Sequence, residues 1–119
     1  PNYPSVMTKR NAAYFGRGLV FNKYTGSRGK SGSNDANAEY VGALRGIMDA
    51  NEVCFQTAEL GKVDQGGGGT IAYILANYGM NVIDSGVAVL NMHAPWEIIS
   101  KVDLYEAFRG YVVFLEATL

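Results

Sequence analysis

His93 is the residue of this sequence with the clearest capacity for chemistry, because it is the only histidine in the chain. It follows a long apolar run, Asn81 to Leu90, which predicts a strand. In open α/β sheets, ligands bind beyond the carboxyl ends of strands, so the position suits a catalytic or ligand role, although a lone histidine is more often structural. No second histidine stands at metal-ligand spacing, and a purely structural histidine is the alternative interpretation.

A run of four glycines, Gly66 to Gly69, is the second candidate. It is not a P-loop, which ends in Gly-Lys-Ser/Thr, because Thr70 and Ile71 follow it. It is not a dinucleotide fingerprint either, since the third glycine would have to stand at position 71. The pattern leaves two interpretations. One is a loop of free N–H groups at a helix start, suited to an anion or a closely approaching peptide, and the other is a tight turn.

Basic residues are concentrated at the beginning of the chain. Residues 1–34 contain six lysines and arginines and no acid, whereas residues 35–119 contain four basic and eleven acidic residues. Lys23, Arg28 and Lys30 form either a carboxylate- or phosphate-binding group or a solvated basic face. Nucleic-acid binding requires exposed stacking aromatics within a basic patch, and strand propensity already accounts for the aromatics here, so no nucleic-acid partner is predicted.

The overall composition excludes several classes of protein. With 119 residues, 48% of them hydrophobic and 18% charged, the chain is at most one domain and too apolar to be disordered. No stretch approaches the roughly 20 apolar residues of a membrane span, so no membrane partner is predicted. The single cysteine, Cys54, excludes an internal disulfide framework and a Cys-x-x-Cys metal site.

The elements that must position the candidate residues alternate along the chain. Residues 18–24, 53–57 and 81–90 are rich in aromatic and β-branched side chains and are predicted to be strands. Helical patterns follow each of them. The order β-α-β-α-β-α predicts an α/β fold with a mostly parallel sheet flanked by helices.

Each helix is predicted from an apolar face and from the residues at its ends. Asn34 or Asp35 caps the first helix, which runs to about Ala50, because a short side-chain acceptor satisfies free backbone N–H groups. Gly79 ends the second helix, since glycine enters the left-handed region without penalty, and Ser100 begins the third. The apolar faces are Tyr40, Leu44, Ile47 and Met48; Ile71, Ile74, Leu75 and Tyr78; and Leu104, Phe108, Val112 and Leu115.

Several segments occur in this order in one known family. They are Pro1 to Tyr3, the loop 23–37, Gly68 to Ile71, and Val82 to Gly86 leading to Leu90 to His93. Over nearly its whole length the chain resembles the C-terminal part of the aspartyl aminopeptidase and vacuolar aminopeptidase I family of dinuclear zinc metallopeptidases. The resemblance is strongest to the clostridial-type bacterial members.

The resemblance implies a role for each candidate residue. His93 stands where the family has its last zinc ligand, and Lys23 where a lysine faces the first side chain of the peptide substrate. Lys30 stands where the family has a tyrosine near the reacting centre, and this departure bears on the preference for an acidic first residue. Gly68, Gly69 and Thr70 match a loop that lines the substrate pocket.

The resemblance also implies that residues 1–119 are the C-terminal portion of a catalytic domain and not a complete one. The other metal ligands and the general-base glutamate are expected upstream of Pro1, so no catalytic base is assigned here. One ligand does not hold catalytic zinc, and we expect this segment alone to be inactive and to bind no stoichiometric zinc. The intact enzyme is expected to be cytoplasmic, to act on peptides and to form a large homo-oligomer.

A function of another class is the alternative. In it, the chain is a free-standing α/β binding module, and the loop Gly66–Gly69 and the basic residues within 9–30 grip an anionic ligand or RNA. The coding sequence upstream of Pro1 distinguishes the two hypotheses, because only the peptidase requires the missing ligands there.

Overall fold

The computed structural model describes residues 10–26, 32–61 and 69–118. Within these ranges, no helix is both long enough and apolar enough to cross a membrane. In chain order the elements are β1 (Leu19–Asn22), β2 (Tyr24–Thr25), β3 (Asn34–Asp35), α1 (Ala38–Ala50), β4 (Phe55–Ala58), α2 (Ala72–Ala76), β5 (Asp84–Gly86), β6 (Val89–Leu90), β7 (Ile98–Ile99) and α3 (Lys101–Glu116).

The central sheet has three strands in the order β4-β1-β5. β1 runs parallel to β4, with Leu19 opposite Phe55, and α1 lies in the crossover between them. β5 runs antiparallel to β1, with Val20 opposite Gly86. The predicted α/β fold is confirmed as a partly parallel sheet flanked by helices. The antiparallel member is β5, which lies on the other side of β1 from β4.

The core lies between this sheet and the helices α1 and α3. Its buried side chains come from β1, from both helices and from the segment before β4. Helix α3 approaches β1 closely because it carries Gly110, where a β-carbon would stand 2.6 Å from Leu19 Cδ2. Each large apolar side chain buried in this way contributes roughly 1.5–3 kcal/mol. The buried members are Leu19, Phe21, Leu44, Met48, Val53 and Ala107.

Helix α1 begins later than the sequence predicts. Asn37 is its cap, and the Oδ1 atom of Asn37 accepts a hydrogen bond from the Tyr40 N–H at 2.8 Å. The predicted cap at Asn34 or Asp35 is wrong, because these two residues form β3 and pair with β2. The predicted apolar face of α1 is confirmed: two of its members are buried and two pack against the core, namely Leu44 and Met48, and Tyr40 and Ile47.

The predicted strand over residues 81–90 is divided between two sheets. Asp84–Gly86 pairs with β1, and Val89–Leu90 then pairs antiparallel with β7. The two pieces are separated by Val87 and Ala88, where the chain leaves the central sheet. An apolar run predicts that a strand is covered, but it does not predict that the strand keeps one partner.

Helix α2 spans only Ala72–Ala76, and the residue it buries is Ala72. Gly79 has the predicted left-handed conformation, with φ +80°, but the prediction that it ends the helix is wrong, because Asn77 is the C-cap. The predicted apolar face is exposed within the described residues, since a helix this short turns little of its surface inward. Its exposed members are Ile71, Ile74, Leu75 and Tyr78.

Helix α3 starts as predicted, because the Ser100 Oγ accepts a hydrogen bond from the Asp103 N–H at 3.4 Å. Its predicted apolar stripe, however, points away from the sheet. The side that faces β1 carries Asp103, Ala107 and Gly110, because small residues permit the close approach of the helix. The exposed stripe is Leu104, Phe108, Val112 and Leu115.

A buried carboxylate joins α3 to the segment that precedes β1. Asp103 is fully buried, and its two oxygens accept the N–H groups of Gly16 and Gly18 at 2.9 Å each. Gly18 has φ +84°, and a β-carbon there would stand 2.1 Å from the carbonyl oxygen of Cys54. Glycine is therefore required at position 18, and Asp103 fixes the start of β1.

Candidate functional site

His93 lies in the turn of residues 91–97, which joins the antiparallel strands β6 and β7. Two residues of this turn that are not glycine adopt the left-handed conformation, namely Asn91 with φ +58° and His93 with φ +66°. Such conformations cost about 1–3 kcal/mol each and persist only where surrounding contacts impose them. The His93 backbone is therefore held in a conformation that a free loop would leave.

Three hydrogen bonds impose this conformation. The Glu97 Oε1 accepts the backbone N–H of His93, the Asn91 carbonyl accepts the N–H of Ala94 at 3.0 Å, and the Asn91 Nδ2 donates to the Trp96 carbonyl at 3.5 Å. The imidazole itself is exposed, and no hydrogen bond from the described part of the chain engages its nitrogens. The turn thus fixes the backbone of His93 and leaves its ring free to bind.

An exposed imidazole on a fixed backbone fits one position of a zinc site, because a neutral imidazole nitrogen is a preferred zinc ligand. Across residues 10–26, 32–61 and 69–118, no group of three or more His, Cys, Asp or Glu side chains is arranged to hold a metal ion. Catalytic zinc takes three protein ligands and keeps one open position. The described residues therefore fit one ligand of a zinc site and do not complete it.

Lys23 lies between β1 and β2, at the end of the central strand. Its side chain is exposed, and its Nζ pairs with the carboxylate of Asp35 on the neighbouring strand β3. The Ala36 N–H also donates to the Lys23 carbonyl at 2.8 Å, which holds the hairpin together. An exposed ion pair contributes only about 0–1 kcal/mol, so an anionic ligand competes readily for the Lys23 ammonium.

Thr70, the residue that follows the glycine run, contacts the same hairpin. The Thr70 hydroxyl donates to the Oγ1 of Thr25 at 3.3 Å and accepts the Ala72 N–H at 3.2 Å. Gly69 has no positive φ, and no atom of the described residues lies within 4 Å of the place of its β-carbon. The structure thus gives Thr70 a definite anchoring contact, whereas no described neighbour packs against Gly69.

The predicted site residues therefore fall into two groups. Lys23 and Thr70 both contact the β2–β3 hairpin, through Asp35 and Thr25, so the structure brings these two predictions together. His93 belongs to the separate β6–β7 hairpin, and within the described residues no hydrogen bond or ion pair links it to the first group. Lys30 and Gly68 lie outside the described residues.

A half-buried acid stands at the same end of the central sheet. Asp84 begins β5, and its Oδ2 accepts a hydrogen bond at 3.3 Å from the Nδ2 of the buried Asn22 at the end of β1. Burial raises the pKa of the Asp84 carboxyl, and the bond from Asn22 opposes part of that increase. The surroundings of Asp84 therefore disfavour the negatively charged form of its carboxyl.

The family of the chain follows from a comparison with protein families. Residues 1–115 match the family described as aminopeptidase I zinc metalloprotease, M18. The chain belongs to this family. It is 73% identical over 115 residues to a probable M18 family aminopeptidase 1 of Clostridium acetobutylicum, and the alignment covers 97% of this chain and 25% of that protein.

Solved structures of family members have the same fold in the matching region. The crystal structure of aminopeptidase I from Clostridium acetobutylicum superposes with a TM-score of 0.87 at 73% identity, covering 97% of this chain and 25% of that chain. The M18 aminopeptidase structure from Thermotoga maritima gives 0.88 at 49% identity, covering 97% and 26%. The chain thus spans about a quarter of the length of the relatives it matches.

These matches confirm the resemblance to bacterial, clostridial-type zinc aminopeptidases, and the family description includes the predicted zinc. They give no support to the alternative of a module that grips an anionic ligand or RNA through Gly66–Gly69 and residues 9–30.

Sequence reasoning missed the acids that engage the two candidate groups, Glu97 and Asp35. The signal for Glu97 was its position four residues after His93, across a turn that contains Pro95. Asp35 gave no comparable signal, because its contact with Lys23 depends on the pairing of β2 with β3.

Proposed function

We propose that this chain is the part of a zinc-dependent aminopeptidase that supplies one metal ligand and part of the substrate pocket. The intact enzyme removes N-terminal residues from peptides with metal-activated water. The observation that carries the proposal is the turn of residues 91–97. It holds the His93 backbone in a left-handed conformation and leaves the imidazole exposed, in a chain whose family is described as a zinc metalloprotease.

The chemistry is divided between the metal and the residues of this chain. Zinc, when bound, supplies Lewis acidity toward the scissile carbonyl and activates water. His93 contributes one neutral nitrogen to that metal. Lys23 offers an exposed ammonium to the first residue of the peptide, and the loop ending at Thr70 borders the same pocket through its backbone. The general-base glutamate and the remaining ligands are proposed to lie outside residues 1–119.

We further propose that residues 1–119 are the C-terminal portion of a catalytic domain and that the remainder of the domain covers α3. The support is the exposed stripe of α3, in which Phe108 is 63% and Leu115 is 80% exposed. Soluble proteins rarely leave a contiguous apolar face of this kind in water. The proposal includes a cytoplasmic location and a large homo-oligomer, which the family resemblance implies, and it keeps Lys30 and Gly68 as predicted pocket residues.

The test is His93→Ala in the full-length enzyme. Loss of one ligand is expected to lower the zinc content measured by mass spectrometry and to abolish most hydrolysis of aminoacyl substrates. Met92→Ala is the matched control, because Met92 is exposed in the same turn and offers no preferred zinc ligand. Full zinc content together with near-normal turnover in His93→Ala would remove His93 from the site.

A further inference from the structure

The proposed role of His93 leaves one contact of the turn unused, namely the hydrogen bond from the His93 N–H to the Glu97 carboxylate. Glu97 is exposed, and it lies just before β7. Within the described residues Glu97 has no ion-pair partner, and its side chain accepts one hydrogen bond, from the backbone N–H of His93.

This hydrogen bond helps to determine the direction in which the imidazole points. The Cα–Cβ bond of a residue follows its φ and ψ angles, so a change at His93 from φ +66° to an ordinary negative value would point the ring elsewhere. A hydrogen bond to a charged acceptor is stronger than a neutral one. Glu97 therefore stabilises the unusual backbone conformation at the residue whose ring is proposed to bind metal.

The neighbouring contacts do not replace it. The bonds from the Ala94 N–H to the Asn91 carbonyl and from the Asn91 Nδ2 to the Trp96 carbonyl close the turn around His93. Neither of them engages the amide of His93 itself. Of the three hydrogen bonds that hold the turn, the one to Glu97 is thus the one that holds the His93 amide directly.

We propose that Glu97 is a positioning residue, which orients the His93 imidazole toward the metal by holding the His93 amide. The inference rests on the proposed function, because it takes His93 to be a zinc ligand. Residues that orient a ligand from outside the coordination sphere typically change metal affinity 10- to 100-fold when they are removed. Glu97 differs from the usual case in that it acts on the ligand's backbone and not on its second ring nitrogen.

Two substitutions at position 97 distinguish a positioning role from direct coordination of the metal by the Glu97 carboxylate. A glutamine at position 97 keeps a side-chain oxygen at the same distance along the chain and still accepts the His93 N–H. It lacks the negative charge that makes a carboxylate a good metal ligand. A positioning role therefore predicts that Glu97→Gln is mild and Glu97→Ala is severe, whereas a ligand role predicts that both are severe.

The experiment uses the full-length enzyme stripped of metal and titrated with zinc against a chromophoric chelator. Glu97→Ala is expected to bind zinc about 10–100-fold more weakly at the affected site. Glu97→Gln is expected to remain within about threefold of the parent. Glu116→Ala is the matched control, since Glu116 is an exposed glutamate at the end of α3 and is expected to leave affinity unchanged.

Cobalt substitution supplies a readout that a structural role would not change. The visible spectrum of Co²⁺ reports ligand geometry, so Glu97→Ala is expected to alter band positions and Glu97→Gln to restore them. Thermal unfolding identifies any variant that has lost its fold. If Glu97→Ala does so, Glu97→Asp replaces it, because its side chain is about 1.5 Å shorter and loses the His93 amide.

The outcomes distinguish a failure of the proposed function from a failure of the positioning role of Glu97. Unchanged zinc affinity in His93→Ala overturns the proposed function. Weakened affinity in His93→Ala with parent-like affinity in Glu97→Ala overturns the positioning role alone. Equal weakening in Glu97→Ala and Glu97→Gln also overturns it, in favour of direct coordination by the carboxylate.

Discussion

Asp103→Ala should open the contact between α3 and the segment before β1. The carboxylate is 0% exposed and accepts the N–H groups of Gly16 and Gly18, each at 2.9 Å. A hydrogen bond to a charged group contributes about 1.5–3 kcal/mol, so losing both lowers the free energy of local opening by about 3–6 kcal/mol. Asp103→Asn keeps one acceptor oxygen and is expected to lose about half as much.

Hydrogen exchange on the full-length enzyme is the appropriate assay, because it measures local opening at Gly16 and Gly18 without requiring that the whole protein unfold in one two-state transition. At 1.4 kcal/mol for each factor of ten, Asp103→Ala is expected to speed exchange at Gly16 and Gly18 by about 10²–10⁴-fold. Asp49→Ala is the control, since Asp49 is an exposed acid near the end of α1. Exchange within about threefold of the parent in Asp103→Ala would refute the reasoning.

Two further predictions concern Lys23 and Asp84. Lys23→Ala should lower kcat/KM for Asp- or Glu-led peptides relative to Leu-led ones. Asp35→Asn should raise this ratio of kcat/KM values about two- to fivefold, because it releases the Lys23 ammonium from its exposed ion pair. A ratio that is unchanged in both variants would mean that Lys23 does not contact the first side chain. Because burial raises the pKa of Asp84, the folded state holds its proton more tightly than the unfolded state, and ionised Asp84 lowers stability at neutral pH. Asp84→Asn should therefore unfold at or above the temperature of the parent at pH 7, and this advantage should shrink as the pH falls toward the ordinary range of aspartate; a deficit of the same size at every pH would contradict it.

The position of His93 was predictable, but its conformation was not. An apolar run that ends at Leu90, three residues before His93, indicates a strand end, and the structure places β6 there. The left-handed backbone depends on the Glu97 carboxylate, which reaches His93 across a turn whose shape the pairing of β6 with β7 determines. Sequence spacing predicts which residues follow a strand, whereas turn geometry follows from the pairing on both sides.

The two long helices differ in whether the apolar face predicted from the sequence is the buried face. On α1, the predicted apolar face and the buried face coincide, because Leu44 and Met48 pack beneath the sheet. On α3, periodicity identified an apolar stripe, but this stripe is exposed and is not the face that packs on the sheet. The sheet takes the side of Ala107 and Gly110, since only small residues allow α3 to come so close to β1.

The two faces of α3 therefore have different requirements. The inner face is satisfied within this chain, by close packing at Gly110 and by the buried carboxylate of Asp103. The outer face, which includes Phe108 and Leu115, keeps large apolar side chains in water within the described residues. Burying them contributes roughly 1.5–3 kcal/mol for each side chain, a gain that requires a partner surface. The chain spans about a quarter of its relatives' length. In the proposed function, the remainder of the catalytic domain supplies that surface as well as the other zinc ligands.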